Sequence, residues 1–283
     1  MGARRLDPLT APLHIVEPTL EDSTGHCYSY LDSLCRAAGD YPITVWGGRA
    51  AQVAFPGNVR LERFFRRRLR RLQTWGLYRR LLREPGRIFV STAGRSDLIL
   101  LDLAARGAIP PGKAYLYVHW FRAAPAKQRQ LARLAKRQPA IEIFAPTETV
   151  CAPFRAAGFA RATVVPYPIT PAAEAGAAEA APAFRHVLFA GAARSDKGFG
   201  AVVDFVELLA KTRGDIPVTL QTSAQHYDKV DAATAASLAR LEGLRYPLLT
   251  RHTQSLSAAD YGALFAGAIC LQLYSRSDFA DRV

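Results

Sequence analysis

The run Val187-Leu188-Phe189-Ala190-Gly191-Ala192-Ala193-Arg194-Ser195-Asp196-Lys197-Gly198-Phe199 constrains this chain more than any other stretch. Its opening residues are apolar and bounded within a few positions, which predicts a buried strand. The glycine that ends them predicts a tight turn, and Phe199 the start of a helix. A strand that hands over to a helix in this way leaves backbone N–H groups directed out of the turn, with Arg194 and Lys197 beside them. Such a turn suits an anion, phosphate above all. The plainer reading uses the same residues, with Lys197 as a solvated cation at a helix N-terminus.

The rest of the chain alternates in the same manner. Strands are predicted at Leu13–Val16, Ile43–Trp46, Arg87–Ser91, Ala114–Trp120, Ile141–Ala145 and from Ala162 onward. Helical patterns run through Tyr28, Leu31, Leu34 and Cys35, over Asp97–Ala105 and Lys127–Arg137, and after Pro146-Thr147-Glu148. Residues 171–184 are Ala, Pro and Glu with almost no large apolar side chain, the composition of a linker. Beyond it, a helix from Phe199, a strand at Pro217–Gln221, a helix over Ala232–Leu241, another from Ser257 and a strand at Ile269–Tyr274 repeat the alternation. At 283 residues, the chain reads as α/β: a Rossmann-like domain over residues 1–170, the linker, and a second Rossmann-like domain over residues 185–283.

A formal net charge of +13 invites a nucleic-acid reading, so the position of the charge matters. Between Arg60 and Arg83 ten arginines face one acid, Glu62, so a single segment carries +9 of that charge. Leu61, Phe65, Leu69 and Leu72 follow helical spacing there, among Arg63, Arg66, Arg67, Arg70 and Arg71. They predict one basic amphipathic helix from Val59 onward, suited to an anionic bilayer surface. The same helix packed on its domain with solvated arginines is the alternative. A nucleic-acid-binding protein would account for the arginines but not for two βαβ halves, so no nucleic acid is expected. Cys27, Cys35, Cys151 and Cys270 show neither Cys-x-x-Cys pairing nor zinc-ligand spacing and read as reduced thiols. The N-terminal residues lack the apolar core of a signal peptide, and no run reaches the ~18 apolar residues of a membrane span. A cytoplasmic protein is expected, with the arginine segment as a peripheral contact to the inner membrane face.

The wording of the Phe189–Phe199 turn resembles the donor-diphosphate turn of glycosyltransferase family 4, in which a strand ends in Gly, a Lys-Gly pair follows six residues on, and a helix begins. Lys197 and Gly198 fall on that pair. The family's Arg directly follows the Gly, where this chain has Ala192, so Arg194 is displaced. Gly25 and His26 stand in the first strand-to-helix loop, which in the family lies against a sugar. His119 closes the fourth predicted strand, as a family His does beside acceptor and donor sugar. Ser257-Ala258-Ala259-Asp260-Tyr261, followed by a strand ending in Tyr274, resembles the passage before the donor-sugar segment, and Phe279-Ala280-Asp281-Arg282 resembles that segment's start. Val164-Val165-Pro166 resembles the close of the family's first domain, with Tyr167-Pro168 in place of its Asn-Gly.

The resemblance implies GT-B architecture, two Rossmann-like parallel-sheet domains facing a cleft, with the second domain incomplete because the family's ribose-binding Glu would follow Val283. It implies a retaining, hexosyltransferase-like enzyme of cell-surface polysaccharide biosynthesis. Such an enzyme moves a sugar from a nucleotide diphosphate sugar to a glycan or lipid-linked acceptor. His119 would be catalytic, Gly191, Arg194, Lys197 and Gly198 would hold the diphosphate, and Gly25, His26, Tyr274 and Arg282 would line the substrate site. No metal or other cofactor is implied, and no Asp-x-Asp sequence stands ready to hold one; the nucleotide sugar is a co-substrate. A GT-B-shaped epimerase or phosphorylase shares fold and turn and stays open. So does a plainer reading of His119, beside Trp120 and Phe121, as a core-edge residue with one backbone hydrogen bond.

Overall fold

The structure, a computed structural model, describes residues 11–23, 25–167, 183–223, 230–254 and 256–271, at positions 25, 26, 196 and 258 by backbone alone. Its contacts divide the chain into two compact units, one up to Thr170 and one from Pro171.

The first unit alternates strand and helix almost throughout. In chain order it contains β1 (Leu13–Val16), α1 (Gly25–Ala37), β2 (Ile43–Gly48), β3 (Val59–Phe65), α2 (Arg70–Leu81) and β4 (Arg87–Val90). There follow α3 (Arg95–Ala104), β5 (Ala114–Tyr117), α4 (Pro125–Arg137), β6 (Glu142–Ala145), α5 (Glu148–Ala156) and β7 (Ala162–Val164). The strands form one seven-stranded sheet in the order β3-β2-β1-β4-β5-β6-β7, and every neighbouring pair is parallel. Parallel strands are covered on both faces and read as continuous apolar runs, which is how Ile15, Val16, Val45, Ile88, Val90, Leu116 and Ile143 are all buried. One face packs on α1 through Tyr30, Leu31 and Cys35. The other packs on α2 to α5 through Leu77, Tyr78, Leu98, Leu101, Leu131 and Phe154. From β1 the chain winds outward through β2 and β3, then returns to β1's other side with β4. The carboxyl ends of β1 and β4 therefore flank the topological switch point, where open α/β sheets bind ligands.

The single arginine-rich helix is not there. Val59–Phe65 is instead an edge strand, paired in register with β2 from Ile43 opposite Val59, and α2 begins only at Arg70. Val59, Leu61, Phe64 and Phe65 pack against the sheet's two apolar clusters while Arg60 and Glu62 pair with each other at 2.6 Å. Over so few residues a period of two fits these positions as well as a helical period, and the open edge of β2 decides between them. The buried face of α2 is Thr74, Leu77, Tyr78 and Leu81, not the expected stripe, and Leu72 is 64% exposed.

The second unit contains β8 (His186–Phe189), a 3-10 turn (Ser195–Lys197), α6 (Phe199–Thr212), β9 (Val218–Gln221), α7 (Ala232–Gly243), β10 (Leu249–His252), α8 (Ala258–Ala263) and β11 (Ala268–Cys270). Its sheet runs β10-β9-β8-β11, again all parallel. Val187, Phe189, Val218 and Leu220 of the sheet meet Phe199, Val202, Val203 and Val206 of α6. The chain leaves β8 for β9 and β10 on one side and returns with β11 on the other, so β8 also ends at a switch point. The sequence shows no sign of β10, because an edge strand with exposed Thr250 and Arg251 carries little apolar signal. Most of the expected linker lies outside the described residues. Among the described residues no helix is long and apolar enough to cross a membrane.

Candidate functional site

At the carboxyl end of β8 the backbone turns sharply at Gly191. A Cβ there would stand 3.2 Å from Cζ of Phe189 and 3.4 Å from Cδ of Lys197. The bare face of the glycine is thus closed by a buried ring and by the methylenes of the lysine, which brings Lys197 back over the turn. Gly198 ends the 3-10 turn at φ +70° and serves as the N-cap of α6. That left-handed conformation is one that glycine adopts without strain. The carbonyl of Arg194 accepts from the amides of Lys197 (3.1 Å) and Phe199 (3.2 Å), and that of Ser195 from Gly198 (3.0 Å).

Two distant groups fasten the turn. The Tyr261 hydroxyl donates to the carbonyl of Ala190 at 2.8 Å, and Ser195 Oγ donates to Asp231 Oδ2 at 3.0 Å. Asp231 also caps α7, accepting from Thr234 N at 2.8 Å. That amide above all, with the Ser195 and Thr234 hydroxyls, holds its carboxyl below the usual carboxylate range. The result is a fixed loop whose described cations are Arg194 and Lys197, at the start of a helix with its positive dipole end.

The switch point of the first unit is built differently. Directly after β1 comes Glu17, fully buried. It accepts hydrogen bonds from Ser91 Oγ (2.7 Å), from the hydroxyls of Thr92 and Thr19, and from Thr19 N (3.2 Å). Ser91 and Thr92 are the residues that follow β4. The carbonyl of Ser91 lies 2.6 Å from His119 Nε2, and since a carbonyl only accepts, that nitrogen carries the proton. In the neutral ring Nδ1 is the acceptor, and the Tyr167 hydroxyl donates to it. His119 is 5% exposed, its ring centroid 5.4 Å from Tyr30, 5.0 Å from Tyr117 and 5.1 Å from Tyr167. The Tyr117 hydroxyl donates to the carbonyl of Val165 at 2.7 Å, and burial pushes the Tyr30 phenol far above its ordinary value. Beside this closed group Trp120 is 63% exposed.

The structure therefore brings Gly191, Arg194, Lys197 and Gly198 into one turn. It sets His119 beyond the end of β5, with both ring nitrogens occupied. Gly25 begins α1, while the side chain of His26, and Tyr274 and Arg282 altogether, lie outside the described residues. Sequence reading missed Glu17, Ser91, Thr92 and the closure of His119 by Tyr167. The first three share one signal, a polar residue directly after an apolar strand. Among the described residues no three His, Cys, Asp or Glu side chains gather as a metal set. Cys27 lies against Thr19 at 3.7 Å, and burial, with the Glu17 carboxylate, pushes its thiol up to about 12.

No protein-family model and no curated protein matches the sequence. Solved structures do match. HepE of Anabaena in complex with UDP-glucose is 14% identical, with a TM-score of 0.58 over 87% of this chain and 70% of that one. AviGT4, a glycosyltransferase involved in avilamycin A biosynthesis, is 13% identical, with a TM-score of 0.57 over 96% and 76% of the two chains. The lipopolysaccharide outer core galactosyltransferase WaaB, in its apo form, is 11% identical, with a TM-score of 0.56 over 94% and 75%. At these identities the likeness is one of fold: an α/β chain of two parallel sheets that matches GT-B glycosyltransferases.

Proposed function

We propose that the chain is a glycosyltransferase that binds the diphosphate of a nucleotide sugar on the Gly191–Phe199 turn and transfers the sugar to a glycan or lipid-linked acceptor. The observation that carries this reading is Lys197 folded over Gly191 at the switch point of the second sheet, with the N-terminus of α6 behind it. As the bond from the anomeric carbon to the diphosphate breaks, the electron pair leaves with the phosphate oxygen and negative charge builds there. Lys197 and the positive end of the α6 dipole are placed to stabilise it, with Arg194 as a supplement. The acceptor hydroxyl oxygen bonds to the anomeric carbon, and its proton passes to the departing diphosphate. That the cations serve without a metal, that configuration is retained and that the sugar is a hexose for a cell-surface polysaccharide are parts of the proposal resting on the family resemblance. HepE, of the same fold, binds UDP-glucose, which makes UDP-sugars the first donors to try.

His119 is the residue of the first unit assigned to a sugar hydroxyl. Its Nδ1 becomes an acceptor for ligand when the Tyr167 hydroxyl moves off. A peripheral contact with an anionic membrane is assigned to the exposed segment Arg66–Leu72, where Leu69 and Leu72 stand among arginines. Failure to co-sediment with anionic liposomes at low salt would remove that part alone. The enzymatic reading is tested by incubating the protein with UDP-, GDP- and ADP-sugars and acceptor extracts, with nucleotide diphosphate release as the readout. Release from one donor class that drops at least tenfold in Lys197→Ala is the expected result, and no release from any donor contradicts the proposal.

A further inference from the structure

At the opposite end of the first sheet, the amino ends of β4 and β5, the loops after α2 and α3 line an open cavity of about 270 Å³. Leu82, Ala104 and Ile109 contribute apolar lining, and three arginines line it as well, the half-buried Arg79 and the exposed Arg83 and Arg106. Among the described residues no carboxylate pairs with any of the three; the nearby Glu84 faces Arg80 at 3.5 Å, and Asp102 faces Arg137 at 3.2 Å. Arg79 Cζ lies 5.5 Å from the centroid of the Trp75 ring, a cation–π contact.

Both walls of the cavity are pinned from behind. The buried Gln138 side chain accepts from Ile109 N at 2.8 Å and donates to the carbonyl of Gly107 at 3.1 Å and to Asp102 Oδ1 at 2.9 Å. Lys113 Nζ donates to the carbonyls of Glu84 at 2.6 Å and Gly86 at 2.7 Å. Three like charges on residues lining one cavity repel each other, and a bound anion relieves that repulsion. The volume falls just below the roughly 300–1,000 Å³ of pockets that take drug-sized ligands, which suits a phosphate head with a short apolar stem rather than a whole nucleotide.

We propose that this cavity is a second anion site, separate from the donor turn, and that it takes a phosphomonoester whose apolar stem lies on Leu82, Ala104 and Ile109. The phosphate sits in the guanidinium forks of Arg83 and Arg106, with Arg79 at its side. The same chemistry is offered by a soluble phosphate ester and by a phosphatidate headgroup.

Calorimetric titration of the full chain carrying Lys197→Ala, which weakens the donor turn, separates this site from the proposed enzymatic one. The probes are inorganic phosphate and dihexanoyl phosphatidate below its micelle concentration. Phosphatidate binding at least tenfold tighter than inorganic phosphate marks a lipid headgroup as the source, and equal binding marks a soluble phosphate. Either supports the site if affinity drops tenfold or more when Arg83→Ser and Arg106→Ser are added with an unchanged circular dichroism spectrum. No binding of either probe, or binding indifferent to those arginines, overturns the proposal. A chain without transferase activity that still binds in this way leaves the site standing.

Discussion

The two units set their first strands, β1 and β8, at equivalent switch points and fill them with opposite chemistry. After β1 comes Glu17, a buried carboxylate held by the hydroxyls of Thr19, Ser91 and Thr92. Two residues beyond β8 stands Gly191, which has no side chain and is covered by Phe189 and the side chain of Lys197. The difference shows that topology supplies the place while the residue after the strand decides what can occupy it. Two unit charges of like sign at 4 Å repel by about 4 kcal/mol at an effective dielectric constant of 20. A phosphate at the first switch point would meet that repulsion; at the second it meets two cations and a helix N-terminus.

This contrast can be broken or sharpened by substitution. Phe199, fully buried against Phe189 at 5.7 Å between ring centroids, anchors the donor turn to the second core. Its replacement by Ala should cost about 3–5 kcal/mol, seen as lost hydrogen-exchange protection in β8, α6 and β9. A loss spread equally over β1 and β4 would break the comparison. Glu17→Leu leaves the buried Ser91 hydroxyl without its carboxylate acceptor and should destabilise the first unit by about 1–3 kcal/mol. In urea titration followed at β1 and β4, no change would mean that the carboxylate holds nothing. Asp231→Ala removes both the α7 cap and the tie to Ser195, which should cost about 1 kcal/mol and loosen exchange at residues 195–198.

The smallest effect is one of pH. Burial holds the His14 imidazole below its ordinary 6.5, and its Nδ1 accepts from Trp46 Nε1 at 3.4 Å. The folded state favours the neutral ring, so this contribution is present above pH 6.5 and is lost as pH falls through the lowered value. Thermal midpoints of the first unit measured downward from pH 6.5 should fall less in His14→Phe than in the unaltered chain.

The βαβ order was legible because buried parallel strands write themselves as apolar runs ended by Gly or polar residues. β3 and β10 were not, since an edge strand needs few apolar side chains and the arginines around Leu61 fit a helix as well as a strand. The Gly191–Phe199 turn was legible because its shape resides in backbone and spacing, which glycine and lysine mark. The group around His119 was not. Glu17, Ser91 and Tyr167 are far apart in sequence and each is commonplace alone; only the adjacency of β1, β4 and β5 in the sheet makes them one network. Tyr167, at a position where the family that the sequence resembles has Asn, reaches back to His119 with its hydroxyl.

The central claim is that the second switch point, and not the first, receives the diphosphate. Calorimetric titration of UDP into the unaltered chain, Lys197→Ala and Glu17→Gln tests it directly. A lost charge-assisted contact is worth about 1.5–3 kcal/mol, at 1.4 kcal/mol per tenfold, so Lys197→Ala should weaken UDP binding by roughly tenfold to a hundredfold while Glu17→Gln leaves it unchanged. Unaltered affinity in Lys197→Ala, or an equal loss in Glu17→Gln, would contradict the account.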